Sequence, residues 1–349
     1  MEYRQLGRSG ILVSTVTLGT MTFGGKGGYR RVGELEVDEA RRLVDRALSA
    51  GVNLIDTADC YSYGRSEEIV GEVLKGRRDD ILIATKVGVP TGHGPNDEGL
   101  SRDHIIAACE RSLRRLQTDH IDLYQAHQWD GKTPPEETMD ALDTLVHQGK
   151  VRYIGCSNYS AWHLMKALGI SDRLGLQRFV SHQIYYSVIG REAEYELVPA
   201  AIDQGLGLLI WSPLAGGLMS GKYRRGQAWP EGARHTTDWG EPPVSDWDPV
   251  YDVIEVLVNV AERHGASPAA VALAYLIGKP AVTSVVVGAR DLAQLEINLG
   301  AAELALDPAD RAELDRVSRP TLLYPYWHQA ANVTKRLSPA DESLLRQSR

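Results

Sequence analysis

Short apolar runs alternate with amphipathic stretches along almost the whole chain. The runs are Val16–Leu18, Leu54–Asp56, Ile81–Ala84, Ile121–Tyr124, Val151–Gly155, Phe179–His182, Leu206–Ile210 and Val282–Val287. Continuous apolar runs of this length suit strands covered on both faces. Between them, apolar residues recur at helical spacing, as at Val37, Ala40, Val44, Ala47 and Leu48. The pattern predicts helices over 37–49, 66–74, 101–116, 135–148, 161–168, 192–204, 250–264, 267–277, 291–299 and 308–318. Ser66 reads as an N-cap with Glu67 and Glu68 in the first turn, and Ser267-Pro268 as an N-cap and N1 pair. Tyr3–Leu6 and Ile11–Val13, joined by Gly-Arg-Ser-Gly, predict an N-terminal hairpin.

Strand and helix alternate eight times, which predicts a parallel sheet closed into a (β/α)₈ barrel of one domain, residues 1–349. An open doubly wound sheet is the alternative, but the chain has no Gly-x-Gly-x-x-Gly, and Gly205-Leu-Gly207 precedes its strand instead of following one. The Gly-rich loop at Gly24–Gly28 contains a lysine but lacks the spacing of a phosphate-binding P-loop. Leu214–Pro249, rich in Gly, Pro and Trp, is longer than structureless loops usually run and is expected to be functional. The tail from 319 to 349 is expected to reach over the barrel mouth.

Charge narrows the function. Thirty-eight Lys and Arg against 46 Asp and Glu give a net charge of −8, which argues against a general nucleic-acid or anionic-membrane binder. No apolar run approaches the length of a membrane span, and no secretory h-region is visible. Cys60, Cys109 and Cys156 are far apart and odd in number, which predicts reduced thiols in a cytoplasmic protein. No cluster has the spacing of a metal site.

A barrel gathers the C-terminal ends of its strands on one face. Here those ends carry Asp56, Lys86, His127, Ser157 with Asn158, Gln183, Trp211 and, just after the last strand, Arg290. Tyr61 lies in the loop after Asp56. A phenol is a weak acid near neutral pH; a lysine cation would favour its phenolate, and a carboxylate could hold that lysine. A histidine could orient a carbonyl. Tyr61, Lys86, Asp56 and His127 thus form a proton-donating set. It would reduce a carbonyl only beside a hydride donor, a role that a nicotinamide cofactor fills.

The chain resembles the aldo-keto reductases, most closely the bacterial branch related to potassium-channel β-subunits. The matching stretches are Leu-Ile-Asp-Thr-Ala-Asp-Cys-Tyr with Gly-Arg-Ser-Glu-Glu, Ala-Thr-Lys, Leu-Tyr-Gln-Ala-His, Ile-Gly-Cys-Ser-Asn-Tyr, Trp-Ser-Pro-Leu-Ala-Gly-Gly and Val-Gly-Ala-Arg. The resemblance covers Tyr3 to about Ser318. The resemblance implies a (β/α)₈ barrel that binds NADP(H) without a Rossmann fold, with Asp56, Tyr61, Lys86 and His127 as its catalytic tetrad. It also implies cofactor contacts at Thr20 and Asp56. Ser157, Asn158 and Gln183 would hold the carboxamide, and Trp211 would stack on the nicotinamide. Ser212, Pro213, Leu214 and Lys222 would line the pyrophosphate, and Gly288, Arg290, Gln294 and Asn298 would hold the adenosine 2′-phosphate end. Ile297 departs from the family pattern, in which Glu often faces the adenine.

Two functions follow: an NADPH-dependent reductase of aldehydes or ketones, reversible with the alcohol, or a nucleotide-binding regulatory subunit like the channel β-subunits. His127 favours the enzyme, since channel subunits usually carry Asn there. Trp129, Tyr326 and Trp327 are candidates for the substrate pocket. Trp229, Trp239, Trp247 and Tyr324 are further aromatics that could cover it or pin the loop.

Overall fold

Eight parallel strands close on themselves in a computed structural model that describes all residues except 232, 238–239, 333–335 and 346–349. A two-stranded hairpin, β1 (Tyr3–Gln5) and β2 (Leu12–Ser14), precedes them. The barrel strands are β3 (Val16–Gly19), β4 (Leu54–Asp56), β5 (Leu82–Val87), β6 (Ile121–Ala126), β7 (Val151–Ser157), β8 (Ser181–Tyr185), β9 (Gly207–Trp211) and β10 (Val282–Val287). They run round the barrel in chain order, and β10 pairs with β3 to close it.

Helices α1 (Val37–Ser49), α2 (Arg65–Val73), α3 (Arg102–Leu116), α4 (Pro135–His147), α5 (Ala161–Leu174) and α6 (Ala193–Gln204) connect the first strands. Further on come α7 (Trp247–His264), α8 (Pro268–Ile277), α9 (Leu292–Gly300) and α10 (Pro308–Val317). Side-chain caps start many of them: Ser101, Ser160, Ser267, Asp291 and Asp307 each accept a first-turn backbone N–H. Glycines in the left-handed conformation end α5, α6 and α7. The tail adds two short helices absent from the pattern reading, α11 (Tyr326–Ala331) and α12 (Pro339–Leu345).

Ser66 does not cap its helix. Gly64, at φ 89°, stands at the N-cap of α2, and Ser66 is buried inside the first turn with its hydroxyl donating to the Thr20 carbonyl at 2.8 Å. Helix α5 continues to Leu174, six residues past its expected end, and β8 begins two residues later than the apolar run suggests.

The strands alternate. Ile55, Ile83, Tyr124, Ile154, Cys156, Ile210 and Val285 join the core between barrel and helices. Leu54, Ala84, Leu123, Leu209 and Val286 form a second apolar cluster with Leu6 and Val13 of the hairpin region. The hairpin therefore plugs the N-terminal end of the barrel with buried apolar side chains. One step further along the same inward-facing rows, the residues become polar: Asp56, Lys86, Gln125 and Gln183 are all buried.

Candidate active site

Strand pairing sets these side chains beside one another. Asp56 lies opposite Ala84, Lys86 opposite Gln125, Ser157 opposite Gln183, and Tyr185 opposite Trp211. Lys86 Nζ donates to Asp56 Oδ1 at 2.5 Å, to the Thr57 carbonyl at 2.8 Å and to the Tyr61 hydroxyl oxygen at 3.4 Å. A fully buried ammonium is costly unless paired, and here all three of its hydrogens have acceptors. The other oxygen of Asp56 accepts from Gln183 Nε2 at 2.8 Å and from Gln125 Nε2 at 3.2 Å. Gly155 leaves room for this layer, since a Cβ there would lie 2.4 Å from Ser181 Oγ and 3.3 Å from Gln125 Cγ.

The Tyr61 ring stands edge-on to His127 with centroids 6.0 Å apart. All four expected tetrad residues thus share one mouth. The phenol departs from expectation in one respect. Burial, reinforced by the Asp56 carboxylate, raises its pKa well above the usual value for tyrosine. The Lys86 ammonium reaches the phenol oxygen at 3.4 Å but does not outweigh burial and the carboxylate. Burial and then the Lys86 cation push His127 down to about 3, so its imidazole is neutral.

The residues expected at the carboxamide also converge. The buried Ser157 Oγ has no hydrogen-bond partner among the described residues. Asn158, held at φ 56°, donates from Nδ2 to the His127 carbonyl and accepts from Trp211 Nε1, both at 3.0 Å. Trp211 packs on Tyr185 with centroids 5.1 Å apart. The Ser212 hydroxyl accepts from the Gly216 N–H at 3.2 Å in the turn that carries Pro213 and Leu214. The Thr20 hydroxyl is engaged within the protein, beside the Asp56 carbonyl and the Ser66 hydroxyl.

Further out, Lys222 and Arg290 approach each other, with Arg234 from the long loop as a third cation. Burial and then the Arg290 cation lower the pKa of both Lys222 and Arg234. Arg290 donates to the carbonyls of Val32 and Arg31, and its own N–H to Gln294 Oε1. Asn298 Nδ2 donates to the Gly288 carbonyl at 3.3 Å. Ile297 is exposed beside them.

The aromatic candidates separate from this set. Trp129 stacks on His163 at 4.1 Å and stands edge-on to Tyr159. Tyr326 stacks on Tyr195 and donates to Glu196 Oε1 at 2.7 Å, which docks the tail on α6; Trp327 is exposed beside Tyr324. Trp229 and Trp247 pack together near Tyr223 and Tyr251. Trp239 lies outside the described residues.

Several neighbours were not singled out from the sequence: Tyr29, Gln125, Arg234 and the contact between Cys60 and His127. The Gln125 alternation could have been read from Tyr124-Gln125-Ala126, where the inward row turns polar in step with Lys86. Among the described residues, His264, Asp307 and Asp310 bring possible metal-ligand atoms within 4.8 Å of one another. Asp310 is already ion-paired with Arg263 and His264, and Asp307 caps α10. No helix among the described residues is long and apolar enough to cross a membrane.

Comparison with known proteins identifies a family. The chain is 40% identical to an uncharacterized oxidoreductase, YrpG, of Bacillus subtilis, over 88% of this chain and 93% of that protein. It is 36% identical to a probable voltage-gated potassium channel subunit beta of Arabidopsis thaliana, over 87% and 92%. It is 35% identical to a versiconal hemiacetal acetate reductase of Aspergillus parasiticus, over 93% and 99%. The Aldo/keto reductase family model matches residues 15–319, and the chain belongs to that family of oxidoreductases.

Proposed function

We propose that the protein is an NADPH-dependent reductase of aldehydes or ketones, with Tyr61 as the proton donor. The observation that carries this reading is the buried Asp56–Lys86 pair, whose third ammonium hydrogen reaches the Tyr61 oxygen at 3.4 Å. That contact leaves the phenol O–H free to donate outward. As the proton leaves for a carbonyl oxygen, negative charge grows on the phenol oxygen, and the Lys86 N–H is already aimed at it. Asp56, fixed by two amide donors, keeps the ammonium in place. The neutral imidazole of His127 can donate one N–H to the same carbonyl oxygen, orienting it toward Tyr61.

A reduced nicotinamide cofactor, when bound, supplies the hydride that the carbonyl carbon receives. The residues present fit it. The Ser157 hydroxyl, without a partner among the described residues, can meet a carboxamide, and Trp211 offers a ring face. Lys222, Arg234 and Arg290 form a cationic group suited to a phosphate, which favours NADPH over NADH. The intact tetrad with His127 supports turnover over a purely regulatory role. Three buried free thiols suit a reducing compartment, and we place the protein in the cytoplasm.

The test is a titration with NADPH and NADH, followed by cofactor absorbance over a panel of aldehydes, ketones and sugars. NADPH binding and turnover that Tyr61→Phe abolishes is the expected result. Tight NADPH binding with no turnover on any compound would move the protein to the regulatory reading.

A further inference from the structure

Cys60 sits between two rings of the mouth. Its sulfur accepts a hydrogen bond from the Tyr29 hydroxyl at 3.5 Å and lies 3.8 Å from Nδ1 of His127. These separations are long for oxygen and nitrogen but suit the larger sulfur atom. The thiol is 3% exposed, so water does not compete for these contacts. A thiol has one hydrogen to give. The Tyr29 O–H already points at the sulfur, so the thiol hydrogen is directed to the remaining neighbour, Nδ1 of His127. The other ring nitrogen, Nε2, makes no hydrogen bond among the described residues, which leaves it for a substrate.

We propose that Cys60 is a positioning residue: through the chain Tyr29 O–H to Cys60 S–H to His127 Nδ1, it holds the imidazole hydrogen on Nε2. The inference rests on the reading of His127 as the carbonyl orienter. A neutral imidazole has one N–H, and the hydrogen bond made by one nitrogen decides which form is present. With Nδ1 accepting, Nε2 is a donor and attracts a carbonyl oxygen. With the hydrogen on Nδ1, Nε2 would present a lone pair to that oxygen and repel it. Burial supports the direction of the chain, because it raises the Cys60 thiol to about 12 and keeps the hydrogen on sulfur.

The experiment is ¹⁵N spectroscopy of the histidine rings in the NADPH-loaded full-length protein, with His127→Gln used to assign the His127 signals. The wild type is expected to show His127 with the hydrogen on Nε2. Cys60→Ala is expected to move it toward the Nδ1–H form and to lower kcat roughly 3- to 10-fold, with NADPH affinity unchanged. Cys60→Ser, which retains a hydroxyl donor, should recover part of both signals. Tyr29→Phe, which removes the outer donor, should give a smaller shift in the same direction. An unchanged His127 spectrum in Cys60→Ala would overturn the proposal, as would equal kcat losses in the Ala and Ser variants. The ring spectrum needs no turnover. A wild type that reduces no carbonyl would therefore defeat the reductase reading, while the spectra still decide the role of the thiol.

Discussion

The two ends of the barrel are built from the same rows of inward-facing residues, and they do opposite things. At the N-terminal end Leu54, Ala84, Leu123, Leu209 and Val286 close on Leu6 and Val13 in an apolar plug. Two residues along, Asp56, Lys86 and Gln125 make a buried polar layer. The first end gains stability from burying apolar surface. The second carries a buried ion pair, an orphaned serine hydroxyl, and strain. Of the seven non-glycine residues with positive φ among the described residues, Ser62, Tyr63, Asn158, Ser212 and Ala215 follow the C-terminal ends of strands at this mouth. The difference teaches that alternation places a side chain while its chemical type decides what the layer is for.

The comparison can be broken by moving one end and watching the other. The largest effect is expected from Tyr61→Phe, which should lower kcat for carbonyl reduction by about 10²- to 10⁴-fold and leave the melting temperature within a few degrees. Steady-state kinetics beside a thermal melt would check it. Lys86→Met leaves the Asp56 carboxylate buried without its cation. It should reduce folding stability by about 3–5 kcal/mol in denaturant titration as well as abolish turnover, a double loss that a purely catalytic residue would not give. Leu6→Ala in the plug should cost about 2–5 kcal/mol of stability while kcat/KM measured well below the melting temperature stays at the wild-type value. A large kcat change there would mean that the two ends are not independent.

Arg290→Ala should raise the NADPH dissociation constant by about 10- to 100-fold and leave that of NADH unchanged, as read by fluorescence titration. The smallest effect is a pH slope. His127 and His182 are both held neutral down to about 3 by burial, whereas an unfolded histidine takes up its proton near pH 6.5. Their folded pKa values are depressed, so the unfolded chain binds more protons between about pH 6.5 and 3, and stability falls as pH drops through that window. Denaturant titrations from pH 7 to pH 5 should show the decline. His182→Gln, whose amide oxygen can still accept the Tyr159 N–H that His182 Nε2 accepts, should flatten it.

Much of this architecture was legible in the chain. Helix Val37–Ser49 and the strands Leu54–Asp56 and Val282–Val287 match their apolar patterns residue for residue. The meeting of Asp56, Tyr61, Lys86 and His127 at one mouth was legible too, because each sits at the end of such a run or in the loop after it. What escaped depends on partners distant in sequence. Glu67 reads as a solvated first-turn acid, yet it is buried, accepting from the Thr85 hydroxyl at 2.6 Å and from Arg115 Nε, 48 residues away, at 2.7 Å. Arg234 joins Lys222 and Arg290 only because the long loop folds back over Gly216. Trp129 follows His127 by two residues, and its ring packs on Tyr159 and His163, because a loop residue's direction is set by what it finds to pack on. The tail helices carry too few apolar positions for periodicity to reveal them, and α12 forms against α6.

The seam between the first and last barrel strands has a consequence for the chain as it is made. Thr17 and Ser284 join hydroxyls at 2.7 Å across 267 residues of sequence. Until residues 282–287 leave the ribosome, β3 has an open edge and the sheet has no interior. Asp56 and Lys86 lie on adjoining strands and can meet early, but in a sheet still open to water. Their low-dielectric enclosure arrives with the last two strand pairings, β10 with β9 and β10 with β3, so a nascent or truncated chain can hold the residues of the site without yet holding its chemistry.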